Sequence, residues 1–464
     1  MKKLLSSFGF APRTFIQLLF ITVNAQLLYA FWDIRNTLPK DFPIAMGVTD
    51  AQAGRLYSMQ GLVIILGTIL LGWIGDRFQV RTIMVLTTLG VGVISLFISV
   101  FSPNLSFGVL LACFFLMLLL SEVLFKPANF KAVRTSTSEE HQGAAFGFFE
   151  FGRGLLAFLV SLVWTALIAM GAGPRVIMLT GSAIVLVTAI MVFWAAPKDT
   201  RVADEDQTTN ASTIDAIKGI GQVAKLPVVW VVGLNVFCVY GTFVAAGTYF
   251  ARFLQAGYGS SALVAAVFST VVIGLRMLPL VSSVLVEKVF RSTSHFMRFM
   301  SAILVVILLG IAAIFLTHPA SVSSFPAGEA PEGIISKGLL ITLMVLMLIA
   351  SGCCFMIRGV YYAPIGEFNV PPKQSSAAMS FAITLGYVPA LLGPIVFGGL
   401  IKPSIKDDAG EVVTEILTPT STLGVAFLGL AALTAVAFCL STALIRLKAR
   451  QDSRDQAEKA EARA

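Results

Sequence analysis

The 464-residue chain is 57% hydrophobic and 12% charged, against about half and roughly a quarter in soluble globular domains. A mean hydropathy of +0.87 excludes a soluble globule, which needs polar cover, and a disordered chain, which cannot be this apolar. The net charge of +8 does not point to nucleic acid, because the basic residues sit at the ends of apolar runs and not in one patch.

The apolar runs are continuous, without the ten-residue alternation of a membrane β-barrel. Taken in order, they predict an all-α membrane protein of twelve spans: 14–38, 51–75, 80–101, 106–132, 142–168, 174–196, 227–253, 260–287, 295–317, 335–364, 376–400 and 419–446. Met1-Lys2-Lys3 before the first run resembles a signal peptide. The run is too long for one and no small-residue cleavage site follows, so it is read as the first span. Most Lys and Arg residues outside the spans fall on the side shared by both termini, which predicts cytoplasmic termini.

The expected organisation is a first six-helix half (1–196), a central cytoplasmic loop (197–226), a second six-helix half (227–446) and a cytoplasmic tail (447–464). Within the loop, Ile214, Ile217, Ile220 and Val223 space a short surface helix. The tail mixes Lys, Arg, Glu and Ala and reads as a solvated helix or a disordered end. Cys113, Cys238, Cys353, Cys354 and Cys439 lie inside apolar runs, and His141, His295 and His318 are scattered, so neither disulfide nor metal site is expected. No cofactor is expected either.

The halves are related. The same interval separates Asn24 from Asn235, Tyr29 from Tyr240, the helix-start signal Thr49-Asp50-Ala51 from Ser260-Ser261-Ala262, and Asp76-Arg77 from Glu287-Lys288. A longer interval separates Lys126 from Arg358 and Gln142 from Gln374, which an insertion between His318 and Lys337 accounts for. Substrate sites in such duplicated folds sit near the midplane between the halves.

The loop Gly72-Trp73-Ile74-Gly75-Asp76-Arg77-Phe78-Gln79-Val80-Arg81 resembles the signature loop of the major facilitator superfamily, G-x-L-a-D-R-x-G-R-R. Gly72, Asp76, Arg77 and Arg81 match it; Gln79 and Val80 depart from it. The resemblance implies alternating access by two rocking halves, with helices 1, 4, 7 and 10 lining the cavity and Gly72, Asp76, Arg77 and Arg81 at a cytoplasmic gate. On its own physics the loop also reads as a plain positive-inside turn. Tyr29 to Asn36 loosely resembles the Y-x-x-D-R-x-N stretch of organic-anion symporters, with one residue inserted between Asp33 and Arg35, one more between Tyr29 and Asp33, and none left between Arg35 and Asn36. By that resemblance Asp33 takes part in proton coupling and Arg35 contacts substrate; alternatively Arg35 snorkels to the outer interface.

Ionisable residues at bilayer depth are costly and mark function. Lys126, Glu150, Arg276 and Arg358 lie about six to eleven residues from a cytoplasmic helix end, roughly 9–17 Å at the helical rise, toward mid-bilayer. Lys126 and Arg358 are repeat mates and read as a clamp for an anion, with Asn24, Asn235, Tyr29, Tyr240 and Tyr361 supplying hydrogen bonds and walls. The structural alternative pairs each cation with a carboxylate. Glu122, one turn before Lys126, is a candidate proton carrier or a permanent ion-pair partner. Glu150 lies on a face with Gly143, Gly147 and Gly154 and is a second carrier candidate. A Glu150–Arg276 pair across the halves, with Arg153 competing, is the expected gate contact.

The sequence therefore predicts a monomeric, proton-coupled symporter of a small organic anion (carboxylate, sulfonate or phosphate ester) in a bacterial cytoplasmic membrane. Its partners are substrate, protons and lipid. A proton-driven exporter of drugs or metabolites and a non-transporting sensor on the same fold are the alternatives. No H-E-x-x-H, G-x-S-x-G or phosphate loop suggests an enzyme.

Overall fold

A computed structural model describes residues 12–71, 79–137, 142–195, 221, 223–290, 292–327, 334–368, 372–407 and 412–461. Among these, ten helices are long and apolar enough to cross a membrane, or eleven if a bent pair near the start is one span. Their flanks carry large outward-facing apolar side chains such as Leu86, Ile190, Val306 and Ile341, as lipid contact requires. The chain is a multi-pass membrane protein. The loop 72–78, with Gly72, Asp76 and Arg77, lies outside the described residues, as does most of the expected surface helix of the central loop.

The bent pair is α1 (Pro12–Leu27) and α2 (Ala30–Thr37), which meet at 52°. Trp32, Asp33 and Arg35 lie on α2, beyond the bend. Helix α3 (Asp41–Ala45) follows, then α4 (Asp50–Leu71). Thr49 and Gln52 form a reciprocal cap at its start: the Gln52 amide donates to Thr49 Oγ1 at 3.3 Å, and the Thr49 amide donates to Gln52 Oε1 at 3.0 Å. Helices α5 (Val80–Phe101) and α6 (Phe107–Leu118) lead into a π-turn, Leu119–Phe125, which runs on into α7 (Lys126–Thr135). Next come α8 (Gln142–Ala169) and α9 (Pro174–Ala195).

The second set begins with α10 (Pro227–Val244), a second π-turn (Ala245–Tyr249) and α11 (Phe250–Tyr258). Then α12 (Ala262–Gly274) reaches Pro279, which has no N–H and clashes with the preceding turn. The backbone tightens into a 3₁₀ turn, Leu275–Met277, before α13 (Pro279–Leu285) and a π-turn, Val286–Phe290. Helices α14 (Thr293–Thr317), α15 (Lys337–Arg358), α16 (Pro364–Glu367), α17 (Pro372–Gly386), α18 (Val388–Leu400) and α19 (Thr420–Glu461) complete the bundle. The tail expected to be a solvated helix or disordered continues α19 as helix to Glu461. The sequence pattern did not foresee a small antiparallel sheet in the order β1 (Ser324–Pro326), β3 (Val412–Ile416), β2 (Ile405–Lys406).

Buried side chains fall into two clusters, one drawn from residues 18–192 and the other from residues 223–444. They meet along a seam at the Asp50 end of the bundle. There α4 and α18 pack backbone against backbone. A Cβ on Gly54 would overlap the Pro394 carbonyl oxygen, and one on Gly61 would overlap the Leu391 nitrogen. This small-residue contact is how helices approach closely where no hydrophobic force separates helix from lipid. Polar contacts close the same end. Arg252 Nε and Nη2 donate to the two carboxylate oxygens of Asp50, each at 2.8 Å. Lys40 Nζ lies 2.6 Å from a Glu415 oxygen on β3. Thr248 Oγ1 donates to Asn36 Oδ1 at 3.1 Å, and the Tyr249 hydroxyl donates to the Pro394 carbonyl at 3.1 Å.

Candidate functional site

Between the two clusters lies a cavity of about 700 Å³. Its wall draws on α1, α2, α4, the first π-turn, α7, α8, α10, the second π-turn, the 3₁₀ turn, α13, α15 and α18, together with the turns that follow α15 and α17. The irregular segments carry much of its chemistry. The first π-turn holds Glu122, the second presents Gly247 and Thr248, and the 3₁₀ turn holds Arg276. Single-turn π insertions widen a helix and re-aim its side chains, often at functional sites. Gly359 places the end of α15 against Pro279, where a Cβ would lie 2.8 Å from the proline ring. This brings Arg358 to the wall that carries Arg276.

Lys126, Arg358, Tyr29, Tyr240, Tyr361, Arg35, Glu122, Glu150, Asp33 and Arg276 all line this one cavity. Asn24 and Asn235 do not. Asn24 is buried and donates to Thr88 Oγ1 at 3.0 Å on α5. Asn235 donates to the Ala437 carbonyl and to Ser441 Oγ, both at 2.9 Å, on α19. Both amides hold helices together inside their own cluster, so their expected place at the substrate site is corrected. Arg81, expected at the gate, lies apart from the cavity lining. Its guanidinium donates to the Phe193 carbonyl and lies over that ring, 5.0 Å from the centroid.

The expected Glu150–Arg276 pair is replaced by a local one. Glu150, with its side chain 58% exposed, pairs with Arg153 at 3.4 Å. Helices α8 and α12 do meet, but through hydroxyls. Ser161 Oγ lies 2.7 Å and Thr165 Oγ1 2.8 Å from Thr270 Oγ1. Beside Arg276 on α8 stands Gly154, not a carboxylate.

Arg35 does not snorkel to an interface. Its guanidinium lies 3.7 Å from the centroid of Trp32 and 5.1 Å from that of Tyr57, and its Nη2 donates to Gln60 Oε1 at 3.3 Å. Asp33 accepts from two amides, Gln26 Nε2 at 2.9 Å and Asn36 Nδ2 at 3.2 Å. Lys126 donates to Glu122 at 3.1 Å, and the other Glu122 oxygen accepts from Gln60 Nε2 at 3.2 Å. Arg358 lies over Phe243, 4.2 Å from the ring centroid. Around it stand Tyr240 and Tyr387, with centroids 4.5 Å apart, and the stacked pair Tyr361 and Tyr362, at 4.4 Å.

The charge balance of this wall is uneven. Arg35, Lys126, Arg153, Arg276 and Arg358 face Asp33, Glu122 and Glu150. Lys126 and Arg153 have carboxylate partners. Among the described residues, Arg35, Arg276 and Arg358 have none within 4 Å. The Nε atoms of Arg35 and Arg276 are buried without a hydrogen-bond partner. Gln60, Trp32, Tyr57, Arg153 and Tyr387 were not singled out as site residues from sequence, apart from Arg153 as a competitor for Glu150. A polar Gln60 inside the apolar stretch Met59 to Leu71 was the available signal.

The sequence pattern of the Major Facilitator Superfamily matches residues 14–394. An Escherichia coli (strain K12) relative, inner membrane protein YihN, is 24% identical over 362 residues, covering 76% of this chain and 80% of that protein. Among solved structures, nucleoside transporter NupG superposes with a TM-score of 0.66 at 15% identity, over 94% of this chain and 99% of the other. A bacterial homolog of the human lysosomal transporter Spinster, inward-facing and unoccupied, gives 0.68 at 14% identity, over 96% and 99%. A D-xylose-proton symporter gives 0.64 at 12% identity, over 92% and 96%. At such identities the structures speak for the fold alone, while the family pattern spans most of the sequence. The chain belongs to the major facilitator superfamily.

Proposed function

We propose that this protein is a secondary transporter that carries a small organic anion through the cavity by alternating access, coupled to protons. One observation carries the reading: Arg35, Arg276 and Arg358 face the cavity with no carboxylate of the described residues within ion-pair distance. An unpaired cation at membrane depth is expensive, and a ligand that brings its own negative charge removes that cost. A guanidinium also offers two parallel donors to a carboxylate, sulfonate or phosphate. The tyrosines around Arg358 give the same ligand apolar faces and hydroxyl groups to lie against.

In this reading residues 1–196 and 227–446 are two six-helix halves, twelve spans in all, joined by a cytoplasmic loop. Both termini face the cytoplasm, and the protein works as a monomer in the bacterial inner membrane. The excess of Lys and Arg on the terminal side supports that orientation, and the relative's name agrees with that membrane. The Asp50 end then faces outward, and the described conformation is closed there. Glu122 is the favoured proton carrier, because it is buried and its side chain reaches the cavity.

The test has two steps. Purified protein is first screened by thermal unfolding against carboxylates, sulfonates and phosphate esters, with neutral and cationic compounds as controls. Anions should raise the melting temperature by several degrees. The best stabiliser is then used in counterflow with proteoliposomes, which separates transport from mere sensing. Stabilisation by cationic compounds alone overturns the anion assignment.

A further inference from the structure

One hydrogen-bonded chain crosses the cavity wall through three separate segments. Arg35 on α2 donates to Gln60 Oε1 at 3.3 Å. Gln60 on α4 donates through Nε2 to Glu122 Oε1 at 3.2 Å. Lys126 donates to Glu122 Oε2 at 3.1 Å. Gln60 thus uses both ends of its amide, accepting from a cation and donating to a carboxylate. An amide side chain does both without carrying charge, from two separate atoms.

We infer that Gln60 is the coupling residue of this cavity, a positioning residue that ties the contacts of Arg35 to the protonation of Glu122. The inference rests on the anion–proton reading above. When an anion engages Arg35, the Arg35–Gln60 bond is given up and the Gln60 carbonyl oxygen loses its donor. The amide then turns over, and that oxygen accepts the O–H of a protonated Glu122. One proton from the cavity water becomes bound to the Glu122 carboxylate; no other bond is made or broken, and Lys126 keeps its charge while releasing its partner. Linkage is reciprocal, so a protonated Glu122 also frees Arg35 for the anion. The other charged or titratable groups facing Glu122 are Lys126 on its own helix, Arg153 on α8, Tyr29 on the α1–α2 bend and Tyr240 on α10. The Tyr29 hydroxyl reaches the carbonyl of Ser121, next to Glu122, at 3.4 Å.

The molecule carries its own reporter. The Trp32 indole lies 3.7 Å from the Arg35 guanidinium carbon, so a shift of Arg35 changes its fluorescence. The Trp32 signal is taken as the difference between each protein and its Trp32→Phe counterpart. It is followed from acid to alkaline pH in the ligand-free full-length protein. In parallel, infrared spectroscopy follows the carboxylic-acid band that Glu122→Gln removes. In the wild type the Trp32 signal and the Glu122 band should titrate with one midpoint. In Gln60→Met the band should still titrate while the Trp32 titration is lost. In Gln60→Leu, whose side chain neither accepts from Arg35 nor donates to Glu122, the Trp32 signal should again stay flat across the Glu122 titration. If Gln60→Met does not fold, Gln60→Leu carries the test. A Trp32 signal that follows Glu122 as well without Gln60 overturns the inference, as does a wild-type signal that ignores Glu122. No ligand enters this measurement, so its failure leaves the anion reading standing, and a failed ligand screen leaves the Trp32 result intact.

Discussion

Arg252 and Arg358 belong to the same half of the chain, and the protein treats them in opposite ways. At the closed seam, Arg252 is 7% exposed and both of its donors facing Asp50 are satisfied at 2.8 Å. In the cavity, Arg358 rests on Phe243 among tyrosines, and no carboxylate of the described residues comes within 4 Å. In the proposed transporter the paired, desolvated arginine between two helix clusters is a latch, whose partner is supplied by the protein. The unpaired arginine on the cavity wall is then the one whose partner arrives with the ligand. The same division separates Lys126, which holds Glu122 within one helix, from Arg35 and Arg276, which hold no carboxylate of the described residues. Charge pairing, more than charge itself, distinguishes the seam from the site.

Removing the partner from the latch should have the largest effect. Asp50→Ala leaves Arg252 buried and uncompensated when the seam is closed, a cost of about 3–5 kcal/mol, while in the opened form Arg252 regains water. The variant should therefore shift the population open at the Asp50 end. Gly247 lines the cavity and has room for a Cβ, so a cysteine there, in a background lacking the native five, reports access. Its labelling by a membrane-impermeant thiol reagent from the Asp50 side should rise at least tenfold, and unchanged labelling would make the bridge ornamental.

Steric opening of the same seam should come next. Gly61→Leu puts a side chain where the Leu391 backbone now lies, and overpacking of this kind costs about 1–3 kcal/mol. Substrate uptake should fall with the same rise in Gly247→Cys labelling. In the cavity, Lys126→Ala should be milder than any change at Arg358, lowering anion affinity by at most about tenfold. The Glu122 carboxyl it leaves can take a proton. A larger loss would move Lys126 into the class of Arg358.

The smallest effect belongs to Lys40. Its bridge to Glu415 keeps some contact with solvent, with side chains 23% and 13% exposed, and joins a loop to the small sheet and not helix to helix. Beside it, burial raises the carboxyl of Asp41 above the usual aspartate value, with Lys40 and Arg252 opposing. A carboxyl raised in the closed form favours that form as pH falls through its titration. Asp41→Asn should flatten the acid side of the Gly247→Cys labelling profile, leaving Lys40→Ala a shift of less than tenfold at neutral pH.

The charges were legible in the sequence because Lys126, Glu122, Glu150, Arg276 and Arg358 interrupt apolar runs, where their cost makes them conspicuous. Ten of the expected spans, or eleven if the bent pair is one, were legible in the apolar runs themselves. Which charges meet was not legible. Helical spacing tells which residues share a face, but Glu150 finds Arg153 on its own helix, and Arg276 faces Gly154. Asn24 and Asn235 sit on their helices as the repeat suggested, yet they turn into their own clusters toward Thr88 and Ser441. Gln60 carries no charge and gains meaning only when α4 is laid beside the first π-turn. The sheet was invisible because its strands are only two to five residues long and β1 comes from a stretch far from β2 and β3.

The claim that Arg358 waits for an anion is tested most directly by calorimetry. The titrant is the anion that best stabilises the purified wild type, added to wild type, Arg358→Ala and Arg358→Lys. Loss of a desolvated charge-assisted pair costs about 2–5 kcal/mol, or roughly thirty- to several-thousand-fold in affinity, and Arg358→Ala should show a loss in that range. Arg358→Lys should remain much weaker than wild type, because one ammonium cannot supply two parallel donors. Undiminished affinity in Arg358→Ala, or a cation as the tightest ligand of the wild type, would contradict the account.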